Sequence, residues 1–209
     1  MNTTLPRRRP WSAILLACWA IGVAGGITAL ARYSLAPGVS AQPPTRWPSR
    51  SRIERLPGRA ELVMLAHPRC PCTRASVREL DALMARCQGL LHADVLFLLP
   101  AGEPEGWARS DLWASAKAIP GVAVMGDEGG LEAKLFGAAT SGQVLLYGRE
   151  GNLLFGGGIT PARGHSGDNA GKLAIVSLLT SGHASTKETA VFGCSLFEPF
   201  LPAQEPRHG

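Results

Sequence analysis

The 209-residue sequence contains no Cys-x-x-Cys run, and therefore no Cys-x-x-Cys-His. Covalent haem attachment is excluded, and without a second close cysteine pair so is structural zinc. No Gly-Lys-Ser/Thr occurs, and the glycine clusters at 156–158 and 164–171 do not lead from a strand into a helix as a nucleotide loop would. Acidic residues are missing from the first 53 positions, whereas residues 60–209 carry fifteen acids against twelve bases. The net charge of +5 thus belongs to the N-terminal segment. The remainder lacks the basic cluster that nucleic-acid binding needs, so no nucleic-acid partner is expected.

What is present divides into an appendage and one domain. Residues 1–10 form a short basic leader with Arg7, Arg8 and Arg9, followed by a nearly uncharged run from Trp11 to Ala31. Those residues would span roughly 30 Å of hydrocarbon as a helix. Trp11 and Tyr33 stand at the ends, where interfacial aromatics belong. The leader arginines favour a cytoplasmic N-terminus with the domain outside, although Arg32, Arg46 and Arg50 follow the span. Ala29-Leu30-Ala31 and Val39-Ser40-Ala41 both fit a signal-peptidase site, so 11–31 is read as a transmembrane anchor or a signal. Its length favours the uncleaved anchor. Residues 32–57, rich in Pro, Ser and Arg, lack periodicity and read as a linker.

The most informative segment is His67-Pro68-Arg69-Cys70-Pro71-Cys72. An apolar strand pattern, 61–66, precedes it, and a helical pattern starts at Thr73 and stops at Gly89. Cysteines at a helix N-terminus meet unpaired N–H groups and the helix dipole, which stabilise a thiolate. Arg69 and Arg74 flank the pair, and each could lower a thiol pKa further. Beyond lie a buried strand at 93–99, a helix from Trp107 to Ala118 and a short strand at 122–125. A turn at 127–130 then leads to a short helix through Phe136. A hairpin joins 143–147 to 152–155, and Asp168 is positioned to cap a closing helix that ends near Leu179. The order β-α-β-α-β-α-β-β-α predicts an α/β domain over 58–182, a central mixed sheet with helices on both faces. Residues 183–209 form a tail whose apolar island, 190–197, holds Cys194 and two phenylalanines and should dock on the domain.

This order, with cysteines delivered by a strand to a helix N-terminus, resembles the thioredoxin-like superfamily. The likeness extends to its membrane-anchored, cytochrome-maturation and peroxiredoxin-like branch. The phrases HPRCPCT, TSGQ, GHSGDNAG and FGC also resemble an uncharacterised thioredoxin-like family labelled RedB-like. The resemblance implies thiol–disulfide exchange at Cys70 and Cys72, with no bound cofactor. The implied partners are a protein thiol or disulfide substrate and a membrane or periplasmic redox partner. It places the domain on the periplasmic side of the cytoplasmic membrane. Two features depart from the superfamily. One residue rather than two separates the cysteines, which puts Thr73 in the resolving cysteine's place, and the segment 139–143 lacks the proline expected opposite the motif.

In that reading one of Cys70 and Cys72 attacks and the other resolves, in either order. Pro71 limits how easily the two sulfurs approach each other. The fold also admits a copper-binding assembly factor, with Cys70, Cys72 and His67 or His165 as soft ligands. A redox-inactive binding module is the third alternative. Cys87 is expected to pack in the core. Cys194 is expected to anchor the tail, with Cys87 and the Cys70 loop both within its potential reach.

Overall fold

The computed structural model describes residues 10–39, 42–56 and 58–197. The leader arginines, Ser40 and Ala41 of one cleavage site, and the tail beyond Phe197 lie outside the described residues. Pro10–Leu35 is one helix, α1, and it continues past Ala31 to take in Arg32 and Tyr33. Its stretch Trp11–Leu35 is long and apolar enough to cross a membrane, with a mean hydropathy of 2.1. The Thr28 hydroxyl donates back to the Ala24 carbonyl at 2.8 Å, satisfying a polar group that hydrocarbon would not. Residues 1–36 form a unit of their own.

The second unit, 37–209, is built on a five-stranded sheet. Its strands are β1 (Ala60–Ala66), β2 (Leu91–Leu99), β3 (Val122–Glu128), β4 (Gln143–Tyr147) and β5 (Leu153–Gly158). Their order across the sheet is β3-β2-β1-β4-β5. β1, β2 and β3 run parallel, while β4 is antiparallel to both β1 and β5. The helices are α2 (Pro71–Arg86), α3 (Asp111–Lys117), α4 (Leu131–Leu135) and α5 (Ala170–Ser181). The mixed sheet and flanking helices match the architecture read from the sequence.

Side-chain alternation along the strands sorts the core into two layers. Leu62, Met64, Val95 and Phe97 join Leu80 and Leu83 of α2 and Ile175 of α5 on one face. Val63, Leu65, Leu96, Leu145 and Tyr147 join Phe136 and Ile53 on the other. Part of the stretch read as a linker lies on this second layer. Trp47 stacks edge-on against Phe136 and Tyr147 at 5.1 Å each, and the Tyr147 hydroxyl donates to the Pro44 carbonyl. The Trp47 and Leu153 amides donate to the carbonyls of Gly151 and Thr45.

Three local expectations need correction. The helix expected from Trp107 begins at Asp111, because the Ser110 hydroxyl caps it and Glu105–Trp107 is a separate 3-10 turn. Asn169 rather than Asp168 caps α5, its side chain accepting from the Lys172 amide at 2.8 Å. β3 runs on to Glu128, and its Asp127 carboxylate accepts the amides of Glu132 and Ala133 at the start of α4.

Candidate active site

β1 ends at Ala66, and the chain turns through His67-Pro68-Arg69 before Pro71 starts α2. Proline suits the first helical position, where its missing N–H costs nothing, and it drives the preceding residue into extended backbone. Cys70 obeys, with φ −84° and ψ 119°, and so becomes the N-cap of α2 with Cys72 one turn position inside. The turn is held from below by Ser141. Its hydroxyl accepts the buried His67 amide at 2.8 Å and shares a hydrogen bond of 2.8 Å with the Thr73 hydroxyl. Gly142 follows with φ +86°, and its amide donates to the Leu65 carbonyl at 2.7 Å. This glycine lets the chain reverse against β1, since a Cβ there would strike Ser76.

The sheet and loops bring Cys72 and, from the tail, Cys194 to Cys70, and both interact with it. Cys70 Sγ and Cys194 Sγ lie 2.7 Å apart. The tail is laid against the 139–141 segment through an isolated antiparallel bridge. The Ser141 amide donates to the Cys194 carbonyl at 2.8 Å, the Leu196 amide donates to the Ala139 carbonyl at 2.9 Å, and Thr140 bridges Ser195. Leu196 is buried in the second core layer. Arg163, from the glycine-rich loop after β5, donates to the Gly193 carbonyl at 2.6 Å. That loop is placed by Glu79 of α2, whose carboxylate takes the Gly167 amide at 2.7 Å and the Lys172 ammonium at 2.5 Å.

The electrostatics follow from this packing. The Cys70 thiol is pulled down to about 5, first by a hydrogen bond with the Cys194 thiol and then, against burial, by the amides of Cys194, Thr73 and Cys72. Cys194 is the donor, because its own thiol is pushed far upward by the same bond and by burial. Cys72 is also held up, by burial first and then by the charge on Cys70. The flanking arginines are not among the main causes. Arg74 is paired with Asp111 at 2.5 Å, and Arg69 stacks over Trp107 at 4.4 Å. Arg163 is the guanidinium that faces Cys72 and Cys194, and it lowers both. Burial pushes His67 downward; its Nδ1 accepts the Arg69 amide at 3.1 Å, and its ring packs on Trp107.

The copper set fares differently. His165 is exposed and its Nδ1 meets the Arg163 carbonyl at 2.7 Å. Among the described residues, the one trio whose ligand atoms fall within 4.8 Å of one another is Glu61, His92 and Asp94, at the end of β1 away from Cys70. There the Asp94 carboxyl is raised to about 7, by burial first and then by the Glu61 carboxylate. Cys87 is buried in the first core layer.

No protein-family model matches the chain, and no curated protein matches it. Solved structures do. A hypothetical protein of Sinorhizobium meliloti aligns at 23% identity and a TM-score of 0.52, over 66% of this chain and 78% of that one. An uncharacterised conserved protein of Geobacillus kaustophilus aligns at 18% identity and a TM-score of 0.54, over 79% and 94%. A looser likeness, 13% identity and a TM-score of 0.39, is to a secreted disulfide oxidoreductase of Mycobacterium tuberculosis, over 47% and 68%. These likenesses are likenesses of fold, and none of them bears on the RedB-like branch. By its strand order and its structural neighbours, the chain has the thioredoxin-like fold.

Proposed function

We propose that this domain is a thiol–disulfide oxidoreductase acting on protein substrates, with Cys70 as the exchanging thiol of the Cys70-Pro71-Cys72 motif. One observation carries the reading. Cys70 is a helix N-cap whose sulfur is surrounded by hydrogen-bond donors and whose pKa is about 5, so it is a thiolate at neutral pH. A thiolate of this kind attacks a disulfide and, having a low pKa, also leaves readily. A second thiol of the chain then closes the protein's own disulfide, and both Cys72 and Cys194 adjoin Cys70. α1 anchors the domain to the cytoplasmic membrane as a single span, with the domain on the periplasmic side. The apolar Trp11–Leu35 helix and the basic leader before it support this placement.

The test uses the full chain in detergent micelles with Cys18→Ala and Cys87→Ala, equilibrated through a series of glutathione buffers. Thiols are trapped by alkylation and counted by mass. A reversible two-electron transition that Cys70→Ala abolishes is expected. Free thiols at every accessible potential would exclude the exchange reading.

A further inference from the structure

We propose that Cys194 is the resolving thiol of this centre, so that the oxidised protein carries a Cys70–Cys194 disulfide rather than a Cys70–Cys72 one. The inference deepens the exchange reading and rests on it. Cys70 and Cys194 are 124 positions apart in sequence, yet their sulfurs stand at 2.7 Å, a fraction of an ångström beyond the roughly 2.05 Å of a disulfide bond. The approach is imposed from both sides. The 194–196 segment is fixed to 139–141 by two backbone hydrogen bonds and by the buried Leu196. At Gly193 any side chain would overlap the Ser141 carbonyl, so the tail meets the loop at closest backbone distance. Arg163 pins the Gly193 carbonyl just before the cysteine. Upstream, the Gly156 amide donates to the Lys187 carbonyl and the Thr189 hydroxyl to the Gly158 carbonyl, so the tail is already seated along β5 before it reaches Cys194. Cys72, by contrast, lies inside the first turn of α2, tied to Cys70 through Pro71.

The docked tail also covers the nucleophile. Cys70 is only 2% exposed, and Cys194 lies directly against it.

The chemistry balances as follows. The Cys70 thiolate attacks one sulfur of a substrate disulfide; that S–S bond breaks, a Cys70–substrate bond forms, and the leaving thiolate takes a proton from water. Cys194 gives its proton to water and attacks Cys70 Sγ, breaking the mixed disulfide and releasing the second substrate thiolate, which is protonated in turn. The substrate gains two electrons and two protons; Cys70 and Cys194 lose the two electrons and the one proton that Cys194 carried, and water supplies the other. A dithiol donor, protein or small molecule, restores the pair by the same two steps in the opposite sense. Substrate oxidation is this sequence reversed.

The test again uses the full chain in micelles with Cys18→Ala and Cys87→Ala, now adding Cys72→Ala, Cys194→Ala or Cys194→Ser. Each is oxidised with diamide and digested with trypsin, which places Cys70 in peptide 70–74 and Cys194 in peptide 188–207. The Cys72→Ala protein should yield these two peptides joined by a disulfide. Both Cys194 variants should lose the link and, with insulin as the disulfide substrate, accumulate the Cys70–substrate mixed disulfide at least tenfold over the parent. If the Cys194 variants instead form a Cys70–Cys72 disulfide and turn over like the parent, the resolving role is overturned while exchange at Cys70 stands. If no variant, the parent included, forms any disulfide at Cys70, both readings fall together.

Discussion

Cys70 shows how little of a cysteine's reactivity is set by its neighbours in sequence. Arg69 and Arg74 are adjacent to the motif, but one stacks on Trp107 and the other is neutralised by Asp111 at the surface. The low pKa comes from a thiol 124 residues away and from three amides. The pH dependence follows directly. A folded-state pKa near 5, below the ordinary thiol value, means that Cys70 is fully ionised above about pH 6 and loses its reactivity as pH falls through 5. Alkylation of the reduced protein by iodoacetamide should therefore follow a midpoint near 5. Cys194→Ala removes the largest cause of the shift and should move that midpoint upward. Arg74→Gln should leave it in place. Monitoring the peptide 70–74 by mass across pH 4–9, in the Cys72→Ala background, checks all three.

At the scale of elements, the site depends on a serine in the loop before β4. Ser141 is fully buried and serves the His67 amide and the Thr73 hydroxyl at once. Ser141→Ala leaves the buried amide without its acceptor, which costs about 1–3 kcal/mol. Urea unfolding of the parent and variant should show a lowered midpoint with an unchanged slope. The Thr140-Ser141-Gly142-Gln143 segment lacks the proline that the superfamily resemblance calls for, and sequence alone gave no substitute for its role. In the structure the Ser141 hydroxyl of this segment holds the 67–73 turn. The strands and helices themselves were readable, because buried parallel strands are continuous apolar runs and α2 keeps its 3.6-residue period. The misread ends were capping choices. Ser110 won over the apolar start at Trp107, and Asn169 over its neighbour Asp168. Such choices depend on which side chain reaches back to the helix amides, which one-dimensional spacing does not encode. Arg163 was invisible for the same reason: nothing near it in sequence points to Cys72 or Cys194, and Glu79 sets its loop from another helix.

The whole molecule is organised around segments that look dispensable in the sequence. Residues 44–53 run over the second core layer, with Trp47 and Ile53 packed there, and the 187–196 stretch follows β5 to the active-site loop. Both lack helical or strand periodicity, which is why composition alone marked them as linker and tail. Their attachment makes the redox state of the site a property of the whole domain. A disulfide from Cys70 to Cys194 closes a loop of 124 positions. By the chain-entropy relation a loop of about 100 residues gives roughly 4–5 kcal/mol of stabilisation, with real disulfides often delivering less. For a domain of this size each kcal/mol moves Tm by about 2–4 °C. The oxidised protein should therefore melt at least about 5 °C above the reduced one. A Cys70–Cys72 bond would close almost no loop and would shift Tm far less. Calorimetry of the full chain in micelles, with and without a dithiol, distinguishes the two. The Cys72→Ala protein should keep the redox-dependent difference in Tm, and the Cys194→Ala protein should lose it. A difference that survived in Cys194→Ala would place the disulfide at Cys70–Cys72 instead.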